Sequence, residues 1–256
     1  MSGAEYPKEA VNKFGRLPKR GTYDYKTVYS IIDESPILHV SFNDPEHDFP
    51  VVLPMLGCTI NFEDPEAEER DIYIHGYVSG RLFRQSKENG DEGLPVTVAA
   101  SLMDGLVLAL APFHNSCNYR SSIAYGHATL VADPAERLHA MTLITDSLLP
   151  KRWENSRATP TSAELASTSI LRVRIASASA KVRTGGPSED RKDLKDEALK
   201  ARVWTGVVPY WSTWGEMVAG KENGAGAVDG EIEKWRLAEN EKAKKVAYAA
   251  IEEGSS

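Results

Sequence analysis

The sequence predicts a mainly β fold, a β-barrel or sandwich with peripheral helices. Eight short segments rich in aliphatic and β-branched residues recur along the chain, each of strand length and bounded by turn residues. The breaks between them are filled largely by Gly, Asp, Asn and Pro, which favour tight reversals. Helical signals interrupt this pattern at only three or four places.

Residues 1–20 lack periodicity and read as a flexible arm. Residues 23–34, YDYKTVYSIIDE, set Tyr25, Val28, Ile31 and Ile32 on one helical side, and Pro36 ends that helix. The strand segments follow as ILHVSF (37–42), VVLPML (51–56), DIYIH (71–75), PVTVAAS (95–101), LVLALA (106–111), SIAYGHATLV (122–131), ILRVRIA (170–176) and VWTGVV (203–208). A helix is expected over 79–88. The clearest covers 133–149, where Asp133 caps, Pro134 suits the first helical position and Glu136 completes a capping box. TSAE at 161–164 repeats the device ahead of the strand at 170. From Asp229 the tail is rich in Ala, Lys and Glu and reads as a solvated helix, docked through Ile232 and Trp235. Charged or glycine-rich linkers occupy 63–70, 185–197 and 219–230. The chain thus divides into the arm, a domain over 21–211 and a polar C-terminal extension with a helix over 212–256.

Composition narrows the function classes. The net charge of −7 argues against a nucleic-acid binder, which needs surplus Lys and Arg to neutralise phosphodiesters. No apolar run approaches the roughly 20 residues of a membrane span, and residues 1–20 are polar, unlike a signal peptide. Cys58 and Cys117, with no CxxC pattern, read as reduced thiols of a cytoplasmic protein. His75, His114 and His127 lack metal-ligand spacing, so no metal site is expected. A Cys117–His114 nucleophile pair lacks an orienting third group, and GxSxG is absent.

Four stretches carry candidate chemistry. In DIYIHGYVSGRLFR (71–84), Asp71, Tyr73 and His75 share one strand face and Ile72 and Ile74 the other. Ser79 then caps a helix. Its free backbone N–H groups, the Ser79 hydroxyl and the Arg81 guanidinium together suit a phosphate, but an ordinary strand–helix junction with a solvated Arg81 satisfies the same residues. HNSCNYRSS (114–122) packs polar groups around Arg120 between two apolar strands, fitting either a solvated hairpin loop or a site for a planar anionic ligand. SASAKVRTGGP (177–187) sets Lys181 and Arg183 on one side of an extended segment, at a site or facing solvent. Trp204, Trp211 and Trp214 read as core or interface residues, or as a stacking surface.

In order, LPKRGTYDYKTVYSIIDESPILHVSF, VVLPMLG, YIHGYVSGRL, VTVAASLMDGLVLALAPFHNSCNYRSSIAYGHATLV, LLPKRW, SASAKVRTGGP and VWTGVVP resemble the pyridoxamine 5′-phosphate oxidase-like FMN-binding split-barrel superfamily over 17–209. The branch they look most like is the flavin-nucleotide-binding proteins related to nitroimidazole-resistance (Nim) proteins. The resemblance implies a dimer-forming split barrel with FMN in a groove between protomers and a small-molecule substrate. It implies a flavin-ring strand at Leu53, Pro54 and Met55, phosphate contacts at Ser79 and Arg81, and phosphate or ribityl contacts at Asn118, Tyr119, Arg120 and Ser121. Lys181, Arg183 and Trp204 would lie near the flavin or the partner subunit, and His75 on the substrate side as the catalytic candidate. Arg81 stands where the family often has Lys, and the arginine-rich C-terminal signature of true pyridoxamine phosphate oxidases is not apparent, which sets vitamin B6 oxidation aside. An FMN-dependent oxidoreductase is the reading that results. A flavin-storage protein without turnover and a haem-binding or haem-degrading relative are the alternatives.

Overall fold

The structure, a computed structural model, describes residues 4–157, 159–225 and 230–252. The first residues of the expected arm, the 226–229 part of the last linker and the expected helix start at Asp229 lie outside the described residues. Within these limits the chain divides into two compact units. One is Met1–Ser101 with Ser121–Lys181, the other Leu102–Arg120 with Val182–Ser256.

The first unit holds most of the strand residues, and three long strands run on into the second. A 3-10 turn at Pro18–Arg20 leads into β1 (Gly21–Thr22) and α1 (Tyr25–Glu34), where Asp24 accepts from the Thr27 N–H and buries Val28, Tyr29, Ile31 and Ile32. β2 (Leu38–Phe42), β3 (Val51–Met55), β4 (Gly57–Ile60) and β5 (Asp71–Tyr77) follow, then α2 (Arg81–Glu88). β6 (Leu94–Leu108) turns through Pro112–His114 into β7 (Ser116–Leu130), and α3 (Pro134–Leu148) and α4 (Ser162–Ser167) precede β8 (Thr168–Arg183). The strand order is β3-β2-β6-β7-β8-β5-β4, with β1 on β8. Only Leu56 separates β3 from β4 in the chain, so the chain passes directly from one end of this order to the other there, while β3 and β4 do not pair with each other among the described residues. Cys58, Ile60, Tyr73, Val131, Ala140, Met141, Ile144 and Ile170 form a core between α3 and the sheet, flanked by Leu56, Leu143 and Trp153.

Both capped helices start as the sequence predicts: Asp133 accepts from the Glu136 N–H, and Thr161 with Glu164 forms a complete capping box. The Glu136 carboxylate, however, takes the Tyr73 hydroxyl at 2.6 Å and lies 3.6 Å from Arg172. It thereby ties α3 to β5 and β8. Tyr73 is fully buried, so β5 is covered on both faces rather than half-solvated. Residues 4–20 pack on this unit: the Tyr6 and Tyr29 hydroxyls meet at 2.7 Å, and Asn12 donates to the Ala178 carbonyl at 3.1 Å.

In the second unit α5 (Glu197–Arg202), β9 (Gly206–Pro209) and α6 (Gly230–Glu252) accompany the ends of the long strands, and β9 pairs with residues 105–108 of β6. The tail helix docks through Trp235, whose ring is 5.4 Å from that of Trp214. Among the described residues no helix is long and apolar enough to cross a membrane.

Candidate functional site

A cleft of 370 Å³ opens in the first unit, lined by Leu53–Leu56, His75–Tyr77 and Gly80–Phe83. Its first wall is β3, which ends the strand order, so among the described residues the backbone groups along one of its edges are not taken by a strand. Pro54 is tolerated there because an edge strand can lack one N–H. The second wall is the end of β5. Gly76 is required at its position: a Cβ there would lie 2.4 Å from the Phe83 ring and 3.4 Å from Met55 Cε. The third wall is the first turn of α2, with Leu82 and Phe83 buried behind it.

The turn into α2 differs from expectation. Gly80, not Ser79, is the N-cap and makes no side-chain cap bond; Ser79 is exposed one residue earlier. The turn is closed by the backbone instead, Gly80 N–H donating to Tyr77 O at 2.8 Å and Arg84 N–H to Gly80 O at 3.0 Å. The helix therefore begins with its N-terminal dipole uncapped by any side chain, beside the cleft, with Arg81 as its first residue. The Arg81 guanidinium lies 3.2 Å from Asp44, a buried carboxylate that also accepts from the Glu46 N–H at 3.1 Å. That N–H, with Arg81 and His47 nearby, holds the Asp44 carboxyl below the usual range. Burial lowers the His75 pKa, so its imidazole is neutral at neutral pH.

Five of the sequence-derived residues thus converge on one cleft: Leu53, Pro54, Met55, His75 and Arg81. Ser121 and Lys181 belong to the same unit but are engaged with each other and with the N-terminal stretch. Ser121 donates to Lys181 O at 3.3 Å, and Lys181 Nζ to Arg16 O at 3.1 Å. The stretch 114–122, read from the sequence either as a solvated hairpin loop or as part of a site, is largely strand β7.

In the second unit the polar groups are bound to protein. Arg120 forks onto Asp104 with two 3.0 Å hydrogen bonds. Arg183 is buried rather than facing solvent and donates to Asn118 Oδ1. Asn118 in turn donates to Gly185 O at 3.2 Å and to Ala250 O at 3.1 Å, fastening the end of α6. Tyr119 is half-buried, and Trp204 is exposed with its ring against Gly206. Among the described residues no group of three or more His, Cys, Asp or Glu could hold a metal ion.

Sequence reasoning missed Asp44, Leu56, Tyr77, Leu82 and Phe83. The last four fall in the segments it quoted, but Asp44 sits in a loop whose pairing with Arg81 no local spacing reveals.

A mostly antiparallel sheet whose two end strands are consecutive in the chain, with a few helices and a cleft between an edge strand and a helix start, has the split-barrel fold. A family model described as pyridoxamine 5′-phosphate oxidase matches residues 24–182, and the chain belongs to that family. The structure of the flavocytochrome Anf3 from Azotobacter vinelandii is 29% identical, with a TM-score of 0.74 over 90% of this chain and 98% of that one. The FAD and heme binding protein from Mycobacterium smegmatis is 26% identical, with a TM-score of 0.69 over 84% of this chain and 96% of that one. No curated protein matches the chain.

Proposed function

We propose that the cleft binds a flavin nucleotide and that the protein is a cytoplasmic flavin-dependent oxidoreductase acting on a small molecule. The observation that carries this reading is the convergence of an open strand edge, an apolar wall and a helix start with Arg81 on one cleft. The names of the two similar structures, a flavocytochrome and an FAD and heme binding protein, support it. A bound flavin supplies the hydride chemistry, and the protein supplies orientation, dryness and charge. The free edge at Leu53–Met55 would orient the ring through backbone groups. Leu82 and Phe83 would exclude water behind it. Arg81, Ser79 and the first N–H groups of α2 would hold phosphate. His75, neutral through burial, can donate an N–H hydrogen bond to a substrate atom at the ring and so position it. FMN is the nucleotide the family resemblance implies.

A homodimer with the flavin at the subunit interface belongs to the same proposal. Leu106 and Val208, register partners on β6 and β9, are both exposed apolar residues of the kind a second copy would cover. The polar groups of Asn118, Arg120 and Arg183 already have protein partners, so the reading does not depend on them.

The deciding experiment is the absorbance of the purified protein, followed by NADH or NADPH oxidation with a nitroaromatic acceptor. Two flavin bands and turnover that falls in His75→Ala are expected. Unchanged turnover in that variant would remove the role of His75, and a flavin without turnover would make the protein a carrier.

A second reading adds haem, because the similar Mycobacterium smegmatis protein is an FAD and heme binding protein and the Azotobacter vinelandii one a flavocytochrome. One common axial ligand of haem iron is an imidazole nitrogen. Among the described residues His114 Nδ1 is a buried side-chain nitrogen without a hydrogen-bond partner, which suits it to iron. A Soret band lost in His114→Ala supports this reading; its absence in the wild type ends it.

A further inference from the structure

The chain carries a net charge of −7, yet residues 10–23 hold Lys13, Arg16, Lys19 and Arg20 and no acidic residue. The fold gathers two more cations with these four. Lys181, the register partner of Gly21 on β8, donates to Arg16 O at 3.1 Å and lies over the Phe14 ring. Lys8 lies over the ring of Tyr23, whose centroid is 5.6 Å from that of Phe14. Phe14 is seated on Gly21, where a Cβ would collide with its ring. The patch is therefore built on an aromatic pair and fastened to the sheet. Elsewhere on the surface cations are matched by carboxylates: Arg70 by Asp33, Arg157 by Glu164, Lys200 by Glu197 and Lys234 by Glu231. None of the six forms an ion pair with another described residue. Like charges gathered on one surface repel, and an external anion relieves that repulsion.

The tip of this patch is aliphatic. Leu17 has φ 53° and ψ 58°, the left-handed region that disfavours a leucine, and its side chain is 45% exposed. Val11, nearby in the chain, is 53% exposed. Pro18 and the Arg20 N–H, which donates to Leu17 O at 3.1 Å, hold the turn in this shape. A strained backbone that keeps a leucine outward between Arg16 and Lys19 serves no packing in the fold. Cations interleaved with aliphatic side chains match the surface of an anionic lipid bilayer: the cations meet headgroup phosphates and the leucine enters the acyl boundary. A protein partner fits less well, because lysine is depleted from protein interfaces. A single-stranded nucleic acid would ask for free stacking rings, whereas Phe14 is half-buried beneath Lys181 and Leu17 would be left without a partner. We infer that residues 8–20 with Lys181 form a docking surface for an anionic lipid bilayer, with Leu17 as its inserted tip. Nothing in this surface depends on what the cleft binds.

The test is co-sedimentation of the full-length protein with vesicles of phosphatidylglycerol and phosphatidylcholine in equal parts, against vesicles of phosphatidylcholine alone. Binding to the anionic vesicles is expected at low salt and should fall steeply as salt is added, with no binding to the neutral ones. Lys19→Ser together with Arg20→Ser should weaken binding by about 25-fold, about five-fold for each cation. Leu17→Gly keeps every cation and relieves the left-handed strain, so it folds at least as well as the wild type. It should nonetheless bind about five-fold more weakly, the effect of withdrawing a partly inserted leucine. Sedimentation with neither vesicle at low salt would overturn the inference. So would equal binding to both vesicles, or a Leu17→Gly protein that binds as the wild type does. A gel shift of a DNA oligonucleotide at the same salt, without vesicle binding, would give the surface to nucleic acid and overturn the choice of lipid.

Discussion

Replacing Gly76 with alanine tests the cleft at its tightest point. The new Cβ would lie 2.4 and 2.7 Å from two carbons of the Phe83 ring. Carbon atoms sit comfortably at about 3.5–4.0 Å, so the ring must retreat by about 1 Å. Phe83 is buried in the first turn of α2, and that turn is held by the Gly80–Tyr77 and Arg84–Gly80 backbone bonds, so retreat shifts the helix start with it. Overpacking of this kind costs about 1–3 kcal/mol. The smaller unfolded-state entropy of alanine returns about 0.4–1 kcal/mol, leaving a net loss of about 1–2 kcal/mol. Met55 Cε, at 3.4 Å, adds little. For a chain of this size that corresponds to a fall in Tm of about 2–8 °C. Urea unfolding without ligand and flavin titration with it should both register the change, and Phe83→Leu in the same chain should recover part of it. A Gly76→Ala protein with unchanged urea midpoint and unchanged flavin affinity would refute the packing argument and the position assigned to α2.

Three further perturbations follow. Arg81→Gln removes a charge-assisted contact to phosphate and should weaken nucleotide flavins by about 10–100-fold. Riboflavin, which has no phosphate, should be unaffected in the same titration. Burial depresses the His75 pKa below its ordinary value, so the unfolded chain takes up that proton first. Stability from this residue is therefore complete above about pH 6.5 and declines as pH falls from there to the folded-state pKa. His75→Gln should flatten that part of the urea-midpoint profile, and an unchanged slope would contradict the sign. Asn118→Ala removes the bonds to Gly185 O and Ala250 O and should cost about 1–3 kcal/mol. Limited proteolysis should then cut α6 sooner than in the wild type.

Much of the fold was legible wherever a local rule operates. Asp133-Pro134 and Thr161-Ser-Ala-Glu164 announce α3 and α4 because capping is settled within four residues. The long strands were not legible as wholes. Asp104-Gly105 reads as a turn between two strands, yet Asp104 is buried mid-strand, held by Arg120 sixteen residues later. β4 (Gly57–Ile60) went unread because it is four residues long and opens on a glycine. The flexible-arm reading of residues 1–20 missed their anchors, since Tyr6 and Asn12 find partners at Tyr29 and Ala178, contacts with no periodic trace. For the site, the segments flanking the cleft were visible through the family motifs. The carboxylate beside Arg81 and the protein partners of Arg120 and Arg183 were not, because both are products of tertiary pairing.

The most direct test of the central claim is amide hydrogen exchange of the full-length protein with and without flavin. New protection is expected in two peptides, residues 53–56 at the end of β3 and residues 76–83 across the start of α2. Protection confined to other segments, with these two unchanged, would contradict it.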